Sequence, residues 1–348
     1  MTSSFTKRLY RRLALQHLED CGVDPAVRQL VNPRKDRDAY NAIAAAISKM
    51  RQDFVPPKRV PWTKKAKFDE TEVIVLSDLH FGKKVVIEGQ VTFDKDIAAQ
   101  RFRAITEGML HLNESYMRPN HSIRELVIVL LGDIVDGELI YNGQSHNSDM
   151  PLLDQLVMAA ELIKKELINP VAKMFETVRV ISVPGNHGEV RTGGGEHAMH
   201  PRTNFDTIAA LMLQMGCQDL KNVSFDIATS TIHTTMIRGW KFMMAHKLPW
   251  PQAGSPGRAR YGGFFERFRY DAVLRAHFHV PDLGYYNTRP VIQNGSLPGV
   301  DDYSLELSFN TVPSQILFTV SDKRPIALFF QVDVGSRTKE AEVRSALD

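Results

Sequence analysis

LVIVLLGDIVDG, residues 126–137, runs six apolar residues without interruption into a glycine and two aspartates. Successive residues of a strand point to opposite faces, so an unbroken apolar run predicts a strand in a sheet covered on both sides. The same texture recurs on either side of it. VIVLS (73–77) leads into Asp78-Leu79-His80, and VRVISV (178–183) into Pro184-Gly185-Asn186-His187-Gly188. WKFMMA (240–245) leads into His246, and AVLRA (272–276) into His277-Phe278-His279. After Pro290 the runs VIQNGS, SQILFTV and IALFFQV predict closing strands. Between the strands lie helical patterns, Ile97 to Leu112 and Leu152 to Ile168, the second with Asp149 as a cap and Pro151 in its first turn. Strands alternating with helices predict an α/β layered fold.

Composition narrows the class. The chain has 348 residues, 43% hydrophobic and 24% charged, which is ordinary for a globular protein. No apolar run approaches the roughly 20 residues that span a bilayer, so no membrane association is expected. The opening MTSSFTKRLYRR has no secretory signal pattern, and Cys21 and Cys217 are too few for a disulfide framework. A cytoplasmic location is the expectation.

Residues 1–67 carry 15 Lys/Arg against 6 Asp/Glu, a charge of +9, while the whole chain carries +3. Such a split predicts a basic accessory segment beside an acidic, metal-loading body. Phe5 to Leu18 and Tyr40 to Phe54 predict two amphipathic helices, the second with Tyr40, Ile43, Ile47, Met50 and Phe54 at helical spacing. PPKRVPWTKKAK (56–67) reads as an extended linker. The expected organisation is a helical basic region over 1–55, the linker, a catalytic domain over 68–334 and a polar tail over 335–348.

In α/β sheets functional groups gather beyond the carboxyl ends of strands, so the five turns should converge. They offer oxygen and imidazole nitrogen and no thiolate, a set suited to Mn²⁺, Fe²⁺, Zn²⁺ or Ni²⁺. In extended backbone Asp78 with His80, and His277 with His279, would each face one cavity. Glycines 132, 185 and 188 permit sharp turns that let the backbone approach the site. Asp133, in the middle of the set, could bridge two cations about 3.5–4 Å apart.

The order DLH, GDIVD, GNH, H, HFH resembles the calcineurin-like metallophosphoesterase superfamily over about residues 72–300. The resemblance implies a four-layer α/β/β/α sandwich, here with a small basic helical extension at the N-terminus. It further implies two divalent metal ions, Mn²⁺ first among the four. Asp78, His80, Asp133 and His279 would hold one, and Asp133, Asn186, His246 and His277 the other. His187 would protonate the leaving oxygen and Asp136 would orient a ligand or His187, with hydroxide generated between the cations attacking phosphorus. Two departures stand out. The usual GNHD or GNHE reads Gly185-Asn186-His187-Gly188-Glu189, so the acid is displaced, with Glu189 or Asp136 as its replacement; the usual GH reads Ala245-His246.

SDLHFGKK, GDIVD and QNGSLPG (293–299) are similar to stretches of the Mre11/SbcD branch of nucleases. With the basic N-terminal segment this implies a nucleic-acid phosphodiesterase, DNA its first substrate, of phage or bacterial type. An SbcC-like ATPase partner is not expected, because the 48 residues after Val300 are too few for that branch's capping domain; a homodimer stays open. The alternative is a phosphomonoesterase, a protein phosphatase or a cyclic-nucleotide phosphodiesterase, although GDIVDGE lacks the arginine of the phosphatase pattern GDxxDRG. A binding module with a degenerate site is disfavoured, since all seven ligand positions are filled. Arg191 is the candidate for binding substrate phosphate. His197 and His200 in RTGGGEHAMH read as loop residues. PGRARYGGFFERFRY (256–270) reads as a loop entering a helix that packs Phe264, Phe265 and Phe268 inward, with base stacking as the alternative.

Overall fold

The computed structural model describes residues 37–52, 68–138, 140, 144–192, 197–198, 201–248, 262–263, 265–286, 288–300 and 311–334. The expected helix Phe5 to Leu18, the 56–67 linker, His200 and the tail from Gly335 lie outside the described residues.

In chain order the elements are α1 (Arg37–Gln52), β1 (Phe68–Leu76), β2 (Val85–Ile87), β3 (Gln90–Phe93), α2 (Lys95–Leu112) and β4 (His121–Leu130). Next come α3 (Leu152–Leu162), which runs through a wide π-helical turn (Ile163–Ile168) into α4 (Asn169–Met174), and β5 (Thr177–Ser182). A small ribbon of β6 (Arg191–Thr192) and β7 (His197–Ala198) precedes α5 (Phe205–Gly216) and β8 (Val223–Ile227). The chain continues with β9 (His233–Ile237), β10 (Trp240–Ala245), β11 (Ala272–Arg275), β12 (Asp282–Tyr286), β13 (Arg289–Gln293), β14 (Ser314–Ser321) and β15 (Arg324–Asp333).

Two sheets hold the molecule together. The first has the order β15-β14-β1-β4-β5-β8, the second β12-β13-β11-β10-β9. Strands β1, β4, β5 and β8 are mutually parallel, as are β10, β11 and β13. The carboxyl ends that carry the predicted ligands therefore share one edge within each sheet.

Alternation along each strand sorts side chains into three cores. Val73, Val75, Val127, Val129 and Ile181 of the first sheet face Phe242, Met244, Leu274 and Ile292 of the second. The residues between them, Ile74, Leu76, Ile128, Leu130 and Val180, pack under the helices. On the far side of the second sheet Met243, Val273 and Val291 are covered by Phe265 and Tyr270. The runs VIVL of β1 and LVIVLL of β4 thus serve two cores at once, which is why they carry no polar residue. Phe265 packs inward as expected, stacked on Tyr286, whereas Phe268 is 42% exposed.

α1 buries Ala46, Ile47 and Met50 in the helix-side core, against α3 and α5. Lys164, 3% exposed, donates from Nζ to the main-chain oxygen of Met50 near the end of α1, and Lys49 pairs with Glu161 at 3.1 Å. The basic N-terminal region therefore contributes one helix to the catalytic body. The caps differ from expectation. Asp149 accepts from the Lys95 amide at the start of α2 (2.7 Å), and Glu138 takes the amide of Leu152 at the start of α3 (2.7 Å).

Candidate metal centre

Five of the eight non-glycine residues with positive φ among the described residues are predicted ligands: Asp78 (48°), His80 (46°), Asp133 (50°), His277 (79°) and His279 (60°). Each left-handed residue costs roughly 1 kcal/mol, and such strain collects at functional sites. The turns are kinked where extended backbone was expected. The kinks split the HFH pair between two clusters, while Asp78 and His80 share one. Nitrogen and oxygen atoms of Asp78, His80 and His279 lie within 4.8 Å of one another, and so do those of Asp133, His246 and His277. Six of the seven predicted ligand residues fall in these clusters, and Asp133 also groups with His80 and His187, which sets it between them.

The donor atoms are poised for cations. Asp78 Oδ1 and Asn186 Oδ1 are buried and make no hydrogen bond. His246 Nε2 lies 2.9 Å from Asp133 Oδ2, His279 Nε2 3.3 Å from Asp78 Oδ1, and His80 Nε2 3.3 Å from His279 Nε2. Buried polar atoms without partners are costly, and lone pairs crowded on a shared space fit ions that would satisfy them. Oxygen and imidazole donors in this number suit divalent transition metals.

The remaining atoms of these side chains are tied down. His246 Nδ1 donates to the Leu131 carbonyl at 2.7 Å, which leaves Nε2 as the atom turned to Asp133. Asp78 Oδ2 accepts from Ser77 Oγ (2.7 Å), and Ser77 Oγ accepts from Asn294 Nδ2 (2.9 Å), which also bonds Gln315. Asp133 Oδ1 accepts from the His187 amide at 2.8 Å. His187 Nδ1 lies 2.9 Å from the Asp136 carbonyl, which also accepts from Gln144 Nε2 at 2.6 Å. Burial pushes His80 down to about 4, with the charge of His187 acting in the same direction. His187 goes the other way: burial opposes its charge, but Asp133 and Asp136 raise it to about 9. Asp136 resists the upward push of burial through His187 and His80, which hold it well below the usual carboxylate range.

A family model for calcineurin-like phosphoesterases matches residues 71–281. The chain belongs to that family. The match spans the turns that carry the seven candidate ligand residues, and membership makes a metal-dependent phosphoester hydrolase the activity to expect of the calcineurin-like phosphoesterase fold. No curated protein matches the chain in sequence. Among solved structures it is similar to a Vps29 variant from Entamoeba histolytica, at 14% identity, covering 76% of this chain and 99% of that one, with a TM-score of 0.34. It is also similar to an archaeal phosphodiesterase (11% identity, 76% and 100% covered, TM-score 0.36) and to a hypothetical protein from Pyrococcus horikoshii (13%, 80% and 94%, 0.39).

Arg191 is engaged by neighbours in the calcineurin-like domain. Its guanidinium pairs with Glu189 (2.8 Å) and donates to the Ile140 carbonyl (3.4 Å). Sequence reading missed Asn204, Asp206, Gln144 and the Ser77–Asn294–Gln315 group. QNGS pointed at Asn294 as a motif without a role, and Asn204-Phe-Asp206 before IAALMLQM reads as a helix start.

Proposed function

We propose that the chain is a phosphodiesterase acting on nucleic acid, with one divalent cation held by Asp78, His80, Asp133 and His279 and a second by Asp133, Asn186, His246 and His277. The observation that carries the diester reading is at Gly137. Its φ is +77°, and a Cβ there would fall 2.3 Å from the His187 carbonyl oxygen. No side chain fits where the phosphatase pattern carries its arginine, so no guanidinium reaches the phosphate from that turn. A monoester dianion would miss that cation more than a diester with a single charge.

Cations beyond the centre suit a longer anion. The charge of Lys83 reaches His80 and His187, and that of Lys247 reaches His277. Phosphates on either side of the scissile one could meet them, and the +9 of residues 1–67 extends the same sequence-independent attraction.

When bound, the two cations neutralise phosphate charge and lower the pKa of the attacking water. The rest falls to the chain. Asp136 keeps the proton on His187 Nδ1, so Nε2 carries the one that moves to the leaving oxygen. Asp133 positions the His187 amide while its other oxygen faces His246.

With Mn²⁺ the purified chain should cleave bis-p-nitrophenyl phosphate faster than p-nitrophenyl phosphate and release nucleotides from DNA or RNA. Preference for the monoester overturns the reading. Replacing Lys58, Arg59, Lys64, Lys65 and Lys67 by Gln should reduce the salt dependence of DNA binding by about one unit of slope per lost phosphate contact.

A further inference from the structure

Asp206 opens α5, is 1% exposed and touches no other charged side chain among the hydrogen bonds and ion pairs it makes. Its Oδ2 accepts from the amides of Asp133 and Gly185, both at 2.9 Å. Its Oδ1 accepts from the amides of Ile134 (2.9 Å) and Val135 (3.3 Å). An ionised carboxylate offers about four acceptor sites, and here four N–H groups fill them. The donors belong to the two turns that follow β4 and β5, which deliver Asp133 on one side and Asn186 and His187 on the other. With its oxygens turned to the backbone, Asp206 is no metal ligand.

The neighbouring cap reinforces the join. Asn204 Oδ1 accepts from the Asp206 amide (2.9 Å), Asn204 Nδ2 donates to the Gly185 carbonyl (2.7 Å), and the Phe205 amide donates to the Gly188 carbonyl (2.7 Å). A Cβ on Gly188 would lie 2.3 Å from Asn204 Oδ1 and 2.9 Å from the Asp206 nitrogen. The cap therefore fills the space that a side chain directly after His187 would need. Of the two acids expected to replace the missing one, Glu189 pairs with Arg191 and Asp136 is engaged by His80 and His187.

We propose that Asp206 is the positioning residue that locks the Asp133 turn to the Asn186-His187 turn, in place of the acid that the superfamily pattern sets after His187. Its consequence for metal rests on the dinuclear reading above. Gly188 and the Asn204-Phe205-Asp206 cap are then two halves of one replacement: the acid has moved from the loop to the helix.

The test uses the full chain and the isosteric variant D206N, which sets an NH₂ group against two of the four amides. With an unchanged far-ultraviolet circular dichroism spectrum, the metal-free variant should lose hydrogen-exchange protection at the amides of 133, 134, 135 and 185 by about 100-fold. The amides of Val73 to Val75 in β1 should keep theirs. Mn²⁺ affinity by calorimetry should fall by at least about 10-fold. Protection and affinity within about twofold of wild type overturn the proposal, as does lost protection with unchanged Mn²⁺ affinity. If D206N does not fold, the metal-free wild type decides: protected amides at these four positions support the clamp, and exchange at unstructured rates overturns it. Should the wild type take up no Mn²⁺, the metal reading fails by itself while the amides still decide the clamp.

Discussion

Asp136 Oδ1 lies 3.2 Å from His187 Nδ1. The same oxygen lies 3.1 Å from His80 Nδ1. One buried carboxylate thus fixes the tautomer of the proposed metal-facing histidine and of the proposed proton donor, so in that reading ligand geometry and proton delivery share a support.

The two roles separate under substitution. H187Q should keep both metal ions and lose kcat by about 10²- to 10⁴-fold. D136N should lower kcat and also weaken Mn²⁺ binding by about 10- to 100-fold, since it loosens His80 as well. Metal content by emission spectroscopy alongside steady-state kinetics separates the two; H187Q turning over at the wild-type rate would remove His187 as the acid.

Asp133 stands between the clusters, so D133A should abolish uptake at both positions, whereas H80A should weaken chiefly the one shared with Asp78 and His279. Calorimetric stoichiometry reads the difference. One tightly held ion in D133A would contradict a bridging role.

Metal binding should release protons. Burial opposes a charge on His246, yet Asp133 and Asp78 raise it to about 10, so the metal-free chain is protonated there at neutral pH. Nδ1 is committed to the Leu131 carbonyl, so the proton on Nε2 must leave before that atom can bind a cation. Titrations at pH 7 in buffers of different ionisation enthalpy should show about one proton released from this histidine, and Mn²⁺ affinity should rise with pH below about 10. Affinity independent of pH between 6 and 9, on the order of the range where proteins are assayed, would contradict this.

The layered α/β body and the ligand ring were legible because their causes are local: each unbroken apolar run serves two cores, and each run ends in a polar turn. Asp206 was not legible. Its partners are backbone amides 21 and 71 to 73 residues earlier, and amides leave no trace in a sequence. The packing of α1 was hidden for a similar reason. Its periodicity showed an apolar face, but only the fold supplies the α3 and α5 surface it covers. The kinked ligand turns escaped because Asp and His tolerate left-handed backbone without announcing it, as glycine would.

Stability should depend on pH through Glu72. Burial raises its carboxyl to about 8 from an ordinary 4.5, against the lowering effect of Asn113 and Arg118. The folded chain then holds a proton that the unfolded chain gives up, so this contribution is full below about pH 4.5 and is lost as pH rises to about 8. E72Q should gain on wild type across that window, by a few kcal/mol at its upper end. Denaturant titrations at pH 5 and pH 8.5 check it, and an equal E72Q-to-wild-type difference at both would contradict a neutral Glu72.

The most direct test of the account is an anomalous-scattering map of the chain crystallised with Mn²⁺. Two peaks about 3.5–4 Å apart are expected, both within reach of Asp133, one beside Asp78, His80 and His279 and the other beside Asn186, His246 and His277. A single peak, or density away from these residues, would contradict the dinuclear centre.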